Sequence, residues 1–156
     1  MAKKAVRVFL DSNVILSGLF SEKGAPRIIL DVMSLRLPFL VCSTGRYNLI
    51  EIERNLEKKM PSALSVYKSY FPRLNLKITP LPEGREVKQW SGRIADKDIP
   101  VLLSAIQSKA DFLVTGDKGY FEKVKSSVQY PFRIVSPAEF LDVYLPEILK
   151  RIQQND

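Results

Sequence analysis

The chain alternates short, mostly apolar runs with longer segments of helical spacing, and that alternation restricts the fold more than any other feature. Val6–Leu10, Phe39–Cys42, Phe112–Val114 and Phe132–Val135 read as strands, with Leu76–Thr79 as a short additional one. A sheet with one wet face alternates apolar and polar residues. Runs apolar at successive positions fit strands covered on both faces, the usual condition of a parallel sheet. Between them, Ala25–Leu35 repeats apolar residues at helical intervals (Ile28, Ile29, Val32, Met33, Leu35), with Pro26 suited to a first turn. Arg46–Met60 reads as a helix stopped by Pro61, Ala63–Phe71 as one stopped by Pro72, and Glu83–Ile94 as a weaker one. Asp98–Lys109 is a further helix, and Pro137–Ile152 closes the chain with Ser136 as its N-cap. The expected architecture is a three-layer α/β domain: a central, mostly parallel sheet of four to five strands with helices on both faces. With 156 residues the chain has the length of one domain, placed at 1–152 with a frayed tail at 153–156.

Two absences narrow the chemistry. The chain has no histidine and a single cysteine, Cys42. Histidine general bases, Ser-His-Asp and Cys-His sites, and thiolate or histidine zinc sites are therefore excluded. Catalysis must rest on carboxylates, lysines, tyrosines, hydroxyls or a hard cation. Cys42 ends an apolar run and reads as core packing. One cysteine cannot form an internal disulfide and suits a reducing compartment. No apolar run approaches the roughly 20 residues needed to span a bilayer, and the N-terminus is not a secretory signal. A cytoplasmic location without membrane contact is the expectation.

In open parallel sheets, ligands bind beyond the carboxyl ends of the strands. Asp11 stands just past Val8-Phe9-Leu10, and Asp117 just past Leu113-Val114-Thr115-Gly116. Each could simply form a turn or cap a helix. Asp98 precedes Ile99-Pro100-Val101 and would serve as an N-cap, with Asp96 a competing acid two residues earlier. A helix N-terminus also tolerates an ionised carboxylate at low cost. Glu51 lies within a helix whose stripe of Leu49, Ile52, Leu56 and Met60 points to the core, leaving Glu51 outward with Tyr47, Arg54 and Lys58. A Glu51–Arg54 surface pair would explain it equally well. Periodicity does not choose Glu51 over Glu53 or Glu57.

Taken together, acids at loop positions of one sheet in a histidine-free protein suggest a hard-cation site. Mg²⁺ and Mn²⁺ take oxygen ligands, keep several waters and need few direct carboxylates. The charge distribution agrees. Lys and Arg number 24 against 17 Asp and Glu, a net +7. With those four acids set aside, 24 cations face 13 acids, a surplus of 11. A basic shell around an acidic pocket suits a polyanionic substrate. Arg46, Arg54, Lys58, Lys59 and Lys118 are candidate phosphate contacts. Trp90, Tyr120 and Phe121 could stack on bases, although buried packing explains them as well.

At this point the chain resembles the PIN-domain family. Val8-Phe9-Leu10-Asp11-Ser12-Asn13-Val14-Ile15-Leu16-Ser17-Gly18-Leu19 is similar to that family's opening motif of apolar strand, Asp, Ser or Thr, and Asn. Glu51-Ile52-Glu53-Arg54 with Leu56 resembles the second motif and selects Glu51. Asp98 with Ala105 resembles the third, and Leu113-Val114-Thr115-Gly116-Asp117-Lys118 the fourth. The four occur in order from about Val6 to Val135, in the manner of the branch described as toxin components of toxin–antitoxin pairs. The chain departs from the pattern in three places. The stretch from Ser43 to Glu51 is about two residues longer, Asn55 takes a usually apolar position, and Gly119 stands where many relatives carry an acid.

The resemblance implies an endoribonuclease dependent on Mg²⁺ or Mn²⁺. Asp11, Asp98 and Asp117 would hold the metal directly or through water, Glu51 would complete the acidic set, and Asn13 and Thr115 would support it by hydrogen bonding. It also implies RNA as substrate, with an antitoxin protein and a homodimer as partners. Other classes remain open from the residues alone. A haloacid-dehalogenase-type phosphohydrolase needs an Asp where Asn13 stands, and a phospho-receiver needs an acidic pair after the first strand. A degenerate PIN domain would bind RNA or a protein without cutting.

Overall fold

The computed structural model describes residues 5–117 and 130–154, which leaves the expectations for Lys118, Gly119, Tyr120 and Phe121 outside the described residues. Five strands form one sheet: β1 (Val6–Leu10), β2 (Leu40–Gly45), β3 (Lys77–Thr79), β4 (Phe112–Val114) and β5 (Arg133–Val135). Their order is β3-β2-β1-β4-β5, and every pairing is parallel. The chain builds outward from β1 to β3 on one side, then returns to lay β4 and β5 on the other. β1 and β4 therefore bound the point at which strand order reverses, where parallel sheets place their ligands.

Side chains of successive strand residues point to opposite faces, and this sheet fills both. Val8, Leu10, Cys42, Phe112, Val114 and Val135 belong to one buried cluster. It is closed by helices α1 (Ser12–Phe20), α2 (Ala25–Ser34), α3 (Arg46–Lys59) and α4 (Pro61–Tyr70), with the closing helical segment. Phe9, Leu113 and Ile134 face the other way, into a second cluster with α6 (Ile99–Gln107) and the flank of α5 (Gly84–Trp90). This is the three-layer arrangement expected from doubly apolar strands. Cys42 is buried in the first cluster.

Three details differ from the pattern read in the sequence. The segment after Asp11, to which the sequence reading assigned no element, is a helix, α1. Capping by Asp11 starts it, and burial of Val14, Ile15 and Gly18 on one side sustains it. Met60, expected on the core stripe of α3, is 47% exposed because the helix ends at Lys59 and Pro61 opens α4. The weak helix read over Glu83–Ile94 contracts to α5, and Ser91–Ile94 makes only an isolated bridge. The closing segment runs through Pro137–Glu139, Phe140–Tyr144 and Leu145–Gln154. Its Ser136 cap is reciprocated by Glu139. Phe140–Tyr144 is a π-helical turn, in which the Leu145 amide donates to the Phe140 carbonyl five residues back.

α1 packs closely against α2 at Gly18. A Cβ at Gly18 would run into the side chain of fully buried Leu30 and come within 3.0 Å of the Pro26 carbonyl oxygen. Gly18→Ala is therefore expected to lower unfolding free energy by about 1–3 kcal/mol, the usual cost of overpacking. Urea denaturation of the two proteins tests this, and equal or greater stability of the variant would contradict the contact.

Candidate active site

The last residues of β1 and β4 are in register, Leu10 opposite Val114, so the segments leaving the two strands emerge side by side. Asp11 comes directly after β1 and is buried. Its amide donates to the Val114 carbonyl (3.0 Å). Its carboxylate accepts from the Ser12 amide (2.8 Å), capping α1, and from the Thr115 hydroxyl (2.8 Å). The cap and the site are thus the same side chain.

Thr115 joins two acids. While its Oγ1 donates to Asp11, it also accepts from the Asp117 amide (3.0 Å). Asn13, in the first turn of α1, completes the link with both ends of its amide. Its Oδ1 accepts from the Gly116 amide (2.9 Å) and its Nδ2 donates to the Asp117 carboxylate (3.0 Å). The loop after β4 is thereby fastened to the turn after β1, and Asp117 is aimed beside Asp11.

Asn48 is fully buried and escaped the sequence reading. Its Nδ2 donates to Asp11 Oδ1 (3.2 Å) and to the Ser12 hydroxyl (2.8 Å), and its Oδ1 accepts from the Gly45 amide (3.2 Å). The available signal was its spacing. Asn48 stands four residues before Ile52 and eight before Leu56, a polar residue on the buried stripe of α3. It lies in the stretch that departs in length from the family pattern. Gly45 lets α3 approach: a Cβ there would lie 2.8 Å from both Asn48 Oδ1 and the Ser104 hydroxyl of α6.

Asp11, Glu51, Asp98 and Asp117 all line one cleft of about 160 Å³. Asp98 occupies the N-cap position of α6 but makes no side-chain capping bond to it. Glu51 is half-buried and forms no ion pair with Arg54 among the described residues, so the surface-pair explanation does not hold. Asp96 is exposed and does not line the cleft; nor do Arg46, Arg54, Lys58 and Lys59. Among the described residues, the cationic side chain that does is Lys97, and Asn55, a departure from the family pattern, lines it too.

Burial pushes the Asp11 carboxyl up to about 6. The Thr115 and Ser12 hydrogen bonds pull it down, and the neighbouring charges of Glu51 and Asp117 add to the rise. Tyr47, one turn before Glu51, is also shifted upward, first by burial and then by Glu51 and Asp98, while Arg54 opposes the shift. Burial dominates both shifts, and the neighbouring acid charges add to each. Among the described residues, no three acids stand close enough to hold one ion together.

The chain belongs to the PIN-domain family, whose model matches residues 7–119. This replaces the dehalogenase-type alternative. No curated protein matches the chain. Among solved structures, it is similar to a chain of VapBC2 from Rickettsia felis bound to a DNA fragment from the promoter. The TM-score there is 0.62 and the identity 14%, over 84% of this chain and 98% of that one. VapBC-1 from nontypeable Haemophilus influenzae gives 0.60 at 14% identity, over 85% and 99%. FitAcB from Neisseria gonorrhoeae gives 0.57 at 16% identity, over 83% and 97%. At such identities the likeness shows the shared fold.

The position of Asp11 bears on stability. Its folded value of about 6 lies above its ordinary 3.8, so the folded protein holds this proton more tightly than the unfolded chain. The group's contribution is fully present below about pH 4 and is lost as pH rises through 6, by up to about 3 kcal/mol. In EDTA, wild type should therefore lose up to that amount relative to Asp11→Asn between pH 4 and pH 7, measured by chemical denaturation. A difference that stays constant over the window would contradict a buried, cation-free carboxylate.

Proposed function

We propose that this cleft binds Mg²⁺ or Mn²⁺ and hydrolyses RNA phosphodiester bonds, making the chain a cytoplasmic metal-dependent endoribonuclease. The observation that carries the reading is the convergence of four carboxylates, from β1, α3, α6 and the loop after β4, on a single cleft. The donors are all oxygen, which suits a hard cation. Asp11 is raised first by burial and then by the charges of Glu51 and Asp117, both of which a divalent cation would offset. The spread of the acids suits a hydrated ion of this type, which takes one or two carboxylates directly and reaches the rest through water.

Asp11, Asp98 and Asp117 are the proposed metal-holding groups, with Glu51 completing the acidic set. When bound, the ion supplies activation of a water and neutralises charge on the phosphate oxygens. The chain's own residues position the parts. Thr115 and Asn48 fix the Asp11 carboxylate from two sides, and Asn13 fixes Asp117. Lys97 offers a cation at the cleft for the backbone of the RNA. The surplus of positive charge elsewhere draws the polyanion toward the acidic pocket. The sequence resemblance to the toxin branch and the fold shared with VapBC and FitAcB chains support a toxin role. An antitoxin protein would restrain it, and homodimerisation fits the same reading.

Purified protein should cut single-stranded RNA with Mn²⁺ or Mg²⁺ and not in EDTA. Asp11→Asn and Asp98→Asn should lose at least about 100-fold, and Asn48→Ala about 10- to 100-fold, as expected when a group that orients a ligand is removed. Mn²⁺ should raise the melting temperature of wild type and not of Asp11→Asn. Equal cutting by wild type and both Asn variants would mark a contaminant and overturn the assignment. Metal binding without cutting of any RNA would move the reading to a PIN domain that only binds.

A further inference from the structure

Part of the carboxylate cleft has no share in the chemistry proposed above. Leu16, Asn55 and Val101 line it together with the acids. They follow Ser12, Glu51 and Asp98 by four, four and three residues, one turn further along α1, α3 and α6. Three helices thus each set an uncharged side chain one turn beyond a residue of the acidic site. Val101 is buried and Leu16 partly so, and both offer apolar contact. Asn55 is the polar one of the three. It is partly buried, and its amide has no hydrogen-bond partner among the described residues. The site's other two asparagines differ in this respect. Asn13 and Asn48 each use both ends of the amide within the protein. Asparagine is disfavoured in a helix interior, because its side chain competes for backbone hydrogen bonds. Asn55 stands inside α3 all the same, and no hydrogen bond of its amide among the described residues offsets that.

We propose that Asn55 reads the base of an RNA nucleotide beside the bond that is cut, and that adenine is the base it prefers. This rests on the RNA-cleaving reading of the same cleft. An unpaired base needs contact for its faces and hydrogen-bonding groups for its edge. Leu16 and Val101 supply the first and Asn55 the second. A primary amide carries a donor and an acceptor side by side, which matches the N6 donor and N7 acceptor of adenine in two parallel hydrogen bonds. Glu51, one turn before Asn55, sharpens the choice. A carboxylate disfavours carbonyl oxygens brought close to it, and adenine alone among the four bases has none. The cleft, at about 160 Å³, is smaller than the roughly 300–1,000 Å³ of sites that enclose a whole small ligand, which suits one part of a strand at a time. Because Asn55 departs from the family pattern, the preference belongs to this chain and not to the fold.

The test has a cutting arm and a binding arm. In Mn²⁺, the cut sites of a random-sequence single-stranded RNA are mapped for wild type and Asn55→Leu. Wild type should favour adenine at one fixed position beside the cut by at least about fivefold, and Asn55→Leu should lose that bias. A bias confined to one nucleotide position is a readout that a merely structural role would not move. In EDTA at low salt, fluorescence anisotropy with labelled oligo(A), oligo(C) and oligo(U) requires no cutting. Wild type should bind oligo(A) at least about threefold tighter than oligo(U), and Asn55→Leu should bind the two about equally. Leucine is the better helix former, so loss of the fold does not account for either change. The same base ratios in wild type and Asn55→Leu overturn the proposal, and where RNA is cut they leave the nuclease reading standing. A wild-type preference for a base other than adenine overturns it too. An Asn55-dependent preference for oligo(A) without cutting in Mn²⁺ keeps Asn55 as the reader of the base and overturns the nuclease reading instead. Neither binding nor cutting overturns both.

Discussion

The site depends on one buried carboxylate at the end of the central strand. Asp11 is joined through its backbone to Val114 and through its side chain to Thr115, more than a hundred residues away. Asn48 approaches from a third element and donates to the same carboxylate. Removing charge from water is costly, and a carboxylate so placed persists because hydrogen bonds compensate part of that cost. The compensation is incomplete, as its elevated pKa shows. On the proposed reading, a cation would complete this unfavourable charge at the reversal point of the sheet.

The same arrangement explains why the sheet order matters more than any one motif. β1 is flanked by β2 on one side and β4 on the other, so Asp11 meets α3 through Asn48 and the β4 loop through Thr115. α6 then carries Asp98 across the opposite face to the same cleft. Residues separated by most of the chain converge because parallel strands all discharge their loops at one edge. A single shift of register between β1 and β4 would separate Asp11 from Thr115 and dissolve the network.

Much of this was legible in the sequence, for physical reasons that differ by element. Doubly apolar runs announced strands covered on both faces, and the positions of Asp11 and Asp117 came from strand direction. Asn13 and Thr115 were legible only through the family resemblance, and the structure places both in hydrogen-bonding contact with the site acids. Other features were hidden because they arise from tertiary contact. α1 carries no periodic stripe, since Ser12 and Gly18 share its buried side with Val14 and Ile15. Asn48 looks like an ordinary helical polar residue until the stripe it occupies is found to be buried. Lys97 was overshadowed by the acids on either side of it, Asp96 and Asp98, although it is the residue that lines the cleft with the latter.

At the carboxyl edge of the sheet, four acids line the cleft with Lys97, and on the proposed reading a polyanion is repelled there until a divalent ion offsets them. The proposed phosphate contacts Arg46, Arg54 and Lys58 do not line this cleft, although Arg54 and Lys58 follow Glu51 by three and seven residues on the same side of α3. Their contribution would therefore act at a distance, on the rate of encounter and its salt dependence more than on the reacting phosphate. Close positioning would fall to groups within the cleft, which among the described residues are all acidic or neutral but for Lys97. If the chain cuts RNA as proposed, such a division makes capture of RNA and its alignment for chemistry separable tasks. The first would belong to a basic surface of the whole molecule, and the second to a network anchored on Asp11 that positive charge would complete.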